Sequence, residues 1–230
     1  MLDFSKRSTQ LELLDGENLG YEDIVQNMYE LNTINTYLGG HAISIAGLNK
    51  IRKQKTKLHI VEIGCGGGDN LKAIQMYCKK INIETKLTGL DIQKSICEYA
   101  QIQNPTFHII HHDYKTYEFE QKPDIIFSSL FCHHFSTEEL IEQLKWMYQN
   151  SVLGFFINDL HRSTLAYYSI KLLTSLFSTS YLVKNDAPLS VARSFKKQDW
   201  IYISQQSHIP FRIQWKWAFR YLISYSHENI

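Results

Sequence analysis

One ten-residue stretch constrains this chain more than any other. Val61-Glu62-Ile63-Gly64-Cys65-Gly66-Gly67-Gly68-Asp69-Asn70 carries an apolar run into a cluster of glycines and then into helical periodicity. Strand, turn and helix in that order place a ligand at the turn of an α/β fold. The spacing predicts a strand over 59–63, a turn over 64–68 and a helix opening at Asp69 or Asn70, whose side chains can cap free backbone N–H groups. Glycines at 64, 66 and 68 let the backbone bend sharply and a ligand approach without Cβ clashes. A dinucleotide-binding turn wants a small residue at the sixth position of G-x-G-x-x-G, and Asp69 stands there. Glu62 adds a carboxylate where a pyrophosphate would lie, so a ligand with an ammonium group suits the turn better.

S-adenosylmethionine has that character, with a sulfonium, an α-amino group and no phosphate. Glu62, Gly64, Gly66 and Gly68 resemble motif I, E/D-x-G-x-G-x-G, of the class I S-adenosylmethionine-dependent methyltransferases. Two further acids fit. A second strand over 85–90 ends at Asp91, where a carboxylate can accept the ribose hydroxyls of a nucleoside, a geometry shared with NAD enzymes. A third strand over 107–111 ends at His112-Asp113-Tyr114, and the resemblance implies that Asp113 meets the adenine amino group. Ile92 and Tyr114, with Ser129 and Leu130 from the fourth loop, complete the expected cofactor site. Each acid also has a plain reading, as a helix cap or a solvated loop end.

The order of elements implies a Rossmann-like, seven-stranded, mostly parallel sheet with an antiparallel last strand and helices on both faces. Strands are expected near 58–63, 85–90, 106–111, 123–130 and 151–158, and helices near 69–80, 92–103 and 136–149. From Phe211 to Tyr225 every odd position is apolar, the mark of half-buried strand. Fifteen residues are long for one strand, so two are expected, broken near Ala218. The whole chain, 1–230, reads as one domain: a helical cap over 1–55, a cofactor-binding core over 56–160, a helical insertion over 161–205 and terminal strands over 206–230. Leu165, Tyr168, Leu172 and Leu176 suggest that residues 162–183 form an amphipathic helix over a pocket. Lys171 and the lack of an eighteen-residue apolar run argue against a membrane span.

Composition agrees with an enzyme of small molecules. The 230 residues carry a formal net charge of +1, which offers no basic surface for nucleic acid. Cys65, Cys78, Cys97 and Cys132 form no C-x-x-C pair, which suits reduced thiols in a cytoplasmic setting. No apolar leader follows Asp3, Lys6 and Arg7, so no signal peptide is expected.

The flanks carry a narrower resemblance. Arg7-Ser8, Glu12, Leu14-Asp15, Leu31-x-x-Ile34-Asn35-x-Tyr37-Leu38-Gly39-Gly40, Asn158 to Arg162, Asp186 and Ser190-Val191-x-Arg193-x-Phe195 look like bacterial small-molecule methyltransferases. That group accompanies type III polyketide synthases and O-methylates phenolic products, a secondary metabolism. Leu14 stands where methionine is usual, and Tyr37 where tryptophan is commoner. The expected reaction is in-line methyl transfer to an apolar or aromatic acceptor, with S-adenosylmethionine as cofactor. A phenol near pKa 10 gains from a base, and histidine is the natural one. His133 and His134, after the fourth strand, and His161, after the fifth, compete for that role. On an extended backbone only one of the adjacent pair would face the substrate. Tyr37, Arg162 and Arg193 are candidate substrate contacts, the arginines alternatively holding loops. No H-x-H, H-E-x-x-H or cysteine pair is present, and no metal is expected. An NAD(P)-dependent oxidoreductase, or a methyltransferase of a quinol or a protein, is the alternative. The aromatic flanks leave a homodimer face open.

Overall fold

The computed structural model describes residues 3–16 and 19–227; the outermost ends of the expected cap and terminal segment lie outside them. Strands β1 (Lys57–Ile63), β2 (Glu84–Asp91), β3 (His108–His111), β4 (Ile125–Ser129) and β5 (Gly154–Leu160) pair in parallel. With β6 (Arg212–Lys216) and β7 (Arg220–Ser226) they form a seven-stranded sheet of order β3-β2-β1-β4-β5-β7-β6. Only β7 runs against its neighbours. Strand order reverses between β1 and β4, so the crevice at their carboxyl ends is where such a sheet takes a ligand.

Alternation along each buried strand divides the core in two. Leu58, Ile60, Ile125, Phe127 and Phe156 face one side, where α2 (Gly40–Ile51) and α3 (Asp69–Lys80) bring Leu48, Ile51, Leu71 and Ile74. Val61, Ile63, Ile126, Phe155 and Ile157 face the other, against Leu140, Leu144 and Met147 of α5 (Thr137–Asn150) and Trp200 and Ile203 of α8 (Lys197–Ser207). Local sequence sets the helix ends: Ser136 and Glu139 make reciprocal bonds that close a capping box at the start of α5. The remaining crossover, α4 (Lys94–Gln103), packs Ile96 against Ile24 and Met28 of α1 (Tyr21–Tyr37).

Four expectations change. Residues 3–16 are a largely extended strap with a single 3-10 turn over Leu13–Asp15, and the first α-helix among the described residues begins at Tyr21. The single helix expected over 162–183 is broken into α6 (Thr164–Phe177) and the start of α7 (Tyr181–Arg193). Between them Ser180 caps α7, and Ser178 and Thr179 bond to Glu30 of α1, so these hydroxyl residues leave the helix for other partners. The stripe Leu165, Tyr168, Leu172 and Leu176 faces outward at 49–65% exposure, while Ala166, Ile170 and Leu173 cover the pocket. Finally β7 is buried on both faces rather than half-buried, with Leu222 against the α2 side and Tyr221 and Ile223 against the α8 side. No helix among the described residues is long and apolar enough to cross a membrane.

Candidate active site

The turn after β1 is held by the sheet beside it. Gly64, Gly66 and Gly68 all adopt positive φ, at 62°, 51° and 75°. A Cβ on Gly64 would lie 2.2 Å from the Phe131 ring, so only glycine lets the fourth loop close over the turn. Asp91 at the end of β2 takes the Gly66 N–H at 3.1 Å and the Gln93 N–H at 3.0 Å, one on each carboxylate oxygen. Each oxygen keeps a further lone pair for a ligand. Gly68 is the N-cap of α3 without any side-chain cap; the expected caps turn elsewhere. Asp69 accepts from Asn35 at 3.0 Å and lies 2.8 Å from His41 Nε2, while Asn70 accepts from Ser44 at 2.9 Å.

A cavity of about 490 Å³ opens over this turn. Glu62, Gly64, Gly66, Asp91 and Ile92 line it from β1 and β2, and Asp113, Tyr114, Ser129 and Leu130 from β3 and β4. Gly68 does not reach the wall. Asp113 caps the 3-10 turn over Tyr114–Thr116 by accepting from Lys115 N, so its plain reading holds alongside its place in the cavity. Burial, followed by the charges of Asp69 and Asp91, raises the Glu62 pKa well above the usual carboxylate value. Glu62 Oε2 is buried without a partner. Burial likewise raises Asp91. Glu62, Asp69 and Asp91 at one turn disfavour a pyrophosphate and suit an ammonium or sulfonium group, although Asp69 already pairs with His41.

A second cavity of about 270 Å³ adjoins the first, sharing Leu14, Leu31, Leu130 and His134 as common walls. Its lining is mainly apolar: Ile34 of α1 and Leu38 just past its end, Ile170 and Leu173 of α6, Val183 of α7, and Phe219. Leu130 holds a left-handed conformation, φ 53°, at the partition. For a branched side chain that costs about 1–2 kcal/mol, which the backbone bond from Leu130 N to Asn158 O helps to offset.

Among the polar residues on this wall, with Asn27, Asp186, Ser190 and Arg220, is the histidine pair. The backbone over Cys132–His134 is a 3-10 turn, not a strand, so the two rings lie side by side with centroids 4.5 Å apart and both face the strap. His133 Nδ1 lies 2.8 Å from Asp159 Oδ1, and His134 Nδ1 3.1 Å from Asp15 Oδ1. Their Nε2 atoms lie 3.5 and 3.7 Å from the Glu12 carboxylate. Burial opposes protonation of His134, but Asp15 and Glu12 outweigh it and raise its pKa. Asp159 is fully buried, which opposes its charge, yet His133 holds it below the usual carboxylate value.

The remaining candidates lie elsewhere. His161 lines neither cavity; its ring rests 5.0 Å from Tyr221 and its Nδ1 has no partner. Tyr37 is 82% exposed and outside both cavities. Arg162 also lines neither, bonding to the Phe4 and Ser194 carbonyls and to Asp199. Arg193 reaches the cofactor cavity, but its guanidinium donates to the carbonyls of Gln10, His133 and His134. Both arginines hold loops. The reading from sequence gave no role to Glu12 or Asp15 beside the histidines, because a strap has no periodicity to announce which side chains it buries.

Residues 60–151, less than half of the chain, match the family model of the methyltransferase domain. Over that span the chain is similar to a methyltransferase domain. Solved structures agree in fold. The plantazolicin methyltransferase BpumL in complex with SAH superposes with a TM-score of 0.63 at 20% identity, covering 85% of this chain and 74% of that one. Magnesium protoporphyrin IX methyltransferase from Synechocystis PCC 6803 with bound SAH gives 0.55 at 14% identity, covering 96% and 90%. Human N-acetylserotonin methyltransferase in complex with SAM gives 0.61 at 15% identity, covering 92% and 57%. The sheet described above is thus the Rossmann-like methyltransferase fold. No curated protein sequence matches the chain.

Proposed function

We propose that this chain, acting as one domain, transfers the methyl group of S-adenosylmethionine to a hydroxyl of a small phenolic acceptor, of the kind polyketide assembly yields. The observation that carries the reading is the pair of adjoining cavities, one acidic and built on the glycine turn, the other apolar, with His134 on the wall they share. When bound, S-adenosylmethionine supplies an electrophilic methyl on a sulfonium. Glu62 and Asp69 face its ammonium end, Asp91 accepts from the ribose hydroxyls, and Ile92 and Tyr114 flank the adenine with Asp113 at its amino group. Leu130 at the partition sets the approach of the acceptor, and positioning of this kind supplies much of a displacement's rate. The acceptor hydroxyl turns to the His133–His134 pair on its wall and loses its proton there. His161, Tyr37 and Arg162 have no part in this scheme.

Calorimetry tests the cofactor half. Asp91→Ala should weaken S-adenosylmethionine binding at least tenfold, about 1.4 kcal/mol, through loss of a charged acceptor. Unchanged affinity, or a thermal midpoint that climbs with NADH instead, overturns the reading.

A further inference from the structure

Glu12, His133 and His134 stand in an arrangement that acid–base chemistry alone does not explain. A carboxylate cannot donate a hydrogen bond, so the ring nitrogens that meet Asp159 and Asp15 carry the protons, His133 Nδ1 at 2.8 Å and His134 Nδ1 at 3.1 Å. That leaves both Nε2 atoms aimed at Glu12, the first 3.5 Å from Oε1 and the second 3.7 Å from Oε2. These separations exceed the 2.7–3.2 Å of a hydrogen bond. Lone pairs of two imidazoles and a carboxylate face one another, with the Arg193 guanidinium 3.9 Å from Glu12 rather than between them. Two ligand atoms bound to one Zn²⁺ at about 2.0–2.1 Å in tetrahedral geometry lie roughly 3.3 Å apart, close to the spacing found. All three donor atoms fall within 4.8 Å of one another.

We propose that Glu12 and the Nε2 atoms of His133 and His134 bind a divalent transition-metal ion, with an open position toward the apolar cavity. Every donor has its own support. Asp159 and Asp15 orient the two rings, and Ser190 Oγ donates to Glu12 Oε1 at 2.8 Å with Arg193 Nε 3.9 Å away. Carboxylate–histidine–metal relays of this form fix the tautomer and raise ligand basicity. Imidazole donors favour Zn²⁺ and its neighbours over Mg²⁺ or Ca²⁺, which take oxygen ligands. Three protein donors and a vacant fourth place are the pattern of a catalytic ion rather than a structural one. All three residues line the acceptor cavity. An acceptor oxygen entering there would be the fourth ligand: its O–H proton passes to solvent on coordination, and its lone pair then forms the bond to the methyl carbon as the carbon–sulfur bond breaks. This last step rests on the methyl-transfer reading; the metal site itself does not. With the ion bound, the histidines are ligands and coordination replaces them as the means of deprotonation.

The test uses the full chain, stripped with chelator, and Zn²⁺ or Co²⁺ alone as probe. Zn²⁺ should bind at one equivalent by calorimetry, and Co²⁺ should give the intense visible d–d absorption of a four-coordinate site. Glu12→Gln and His134→Ala should each weaken binding at least a hundredfold. Asp159→Asn should weaken it roughly 10–100-fold, as loss of an orienting carboxylate does. His208→Ala, at an exposed histidine elsewhere, should leave it unchanged. Absence of stoichiometric Zn²⁺ binding, or affinity unaltered in Glu12→Gln and His134→Ala with circular dichroism intact, overturns the proposal. S-adenosylmethionine calorimetry on the stripped protein separates the two failures: cofactor bound without zinc removes the metal site, and zinc bound without cofactor removes the methyl-transfer reading.

Discussion

His133 Nδ1 lies 2.8 Å from Asp159 Oδ1, and both side chains are withdrawn from water, at 2% and 1% exposure. The same carboxylate takes the backbone N–H of His133 at 3.0 Å and of Leu160 at 2.7 Å, so it fixes the ring and the turn that carries it. Asp159→Asn sets an amide against those donors. It should cost about 3 kcal/mol of stability, as breaking a buried charged pair does. Turnover should fall at least tenfold while S-adenosylmethionine affinity stays within twofold, since Asp159 lines neither cavity. Equal losses in both would make Asp159 a general fold residue.

Glu30 gives a pH-dependent clamp. It accepts from Ser178 Oγ, from Thr179 N at 2.9 Å and from Ser180 N at 3.0 Å, tying α1 to the α6–α7 turn. Partial burial opposes its charge, but Ser178, Gln26 and the two backbone donors prevail and lower its pKa from 4.5 to about 2. A depressed folded-state pKa stabilises above the unfolded value, and the gain is lost as pH falls from 4.5 toward 2. Because the group is partly solvated, the contribution is on the order of 1 kcal/mol. Glu30→Gln should therefore lower the urea midpoint near neutral pH, with the gap to wild type shrinking at about pH 3. A gap independent of pH counts against the clamp.

The glycine turn separates conformational from steric cost. Gly64→Ala meets both a positive φ and the Phe131 ring at 2.2 Å, and should lose about 2–5 kcal/mol. Gly66→Ala has the same backbone demand but its nearest neighbour is Met28 Sδ at 3.8 Å, so about 1–2 kcal/mol is expected. Chemical denaturation of the two variants compares them directly. Equal losses would mean that Phe131 yields easily.

Filling the apolar cavity should affect one ligand only. Ile170→Trp adds bulk on the α6 wall, away from the glycine turn. Acceptor turnover should drop at least tenfold with cofactor affinity unchanged. If S-adenosylmethionine binding falls in parallel, the two cavities are not separate functional compartments.

What could be read in the sequence was what neighbouring residues decide among themselves. The strand, glycine turn and α3 lie within one stretch, and Asp91 is placed by the end of β2. The break near Ala218 falls between β6 and β7, where two apolar alternations meet. The site's second half resisted because it is made by contacts distant in sequence. Glu12 reaches His133, and Asp15 lies 119 residues from His134. The apolar stripe on α6 misled for a related reason: periodicity marks a face but not which way it turns, and small Ala166 suits the cavity wall better than Leu165. The adjacent histidines were read as strand-like, whereas the 3-10 turn turns both the same way.

The strap adds no strand to the sheet, yet two of its carboxylates address the histidines, and its backbone is stitched to α7 through Asp186 and Arg193. One segment thus walls both chambers, since Leu11, Leu14 and Asp15 also border the glycine-turn cavity and Gln93 bonds to the Leu14 carbonyl. Exchanging the first sixteen residues between related proteins would therefore alter both chambers together.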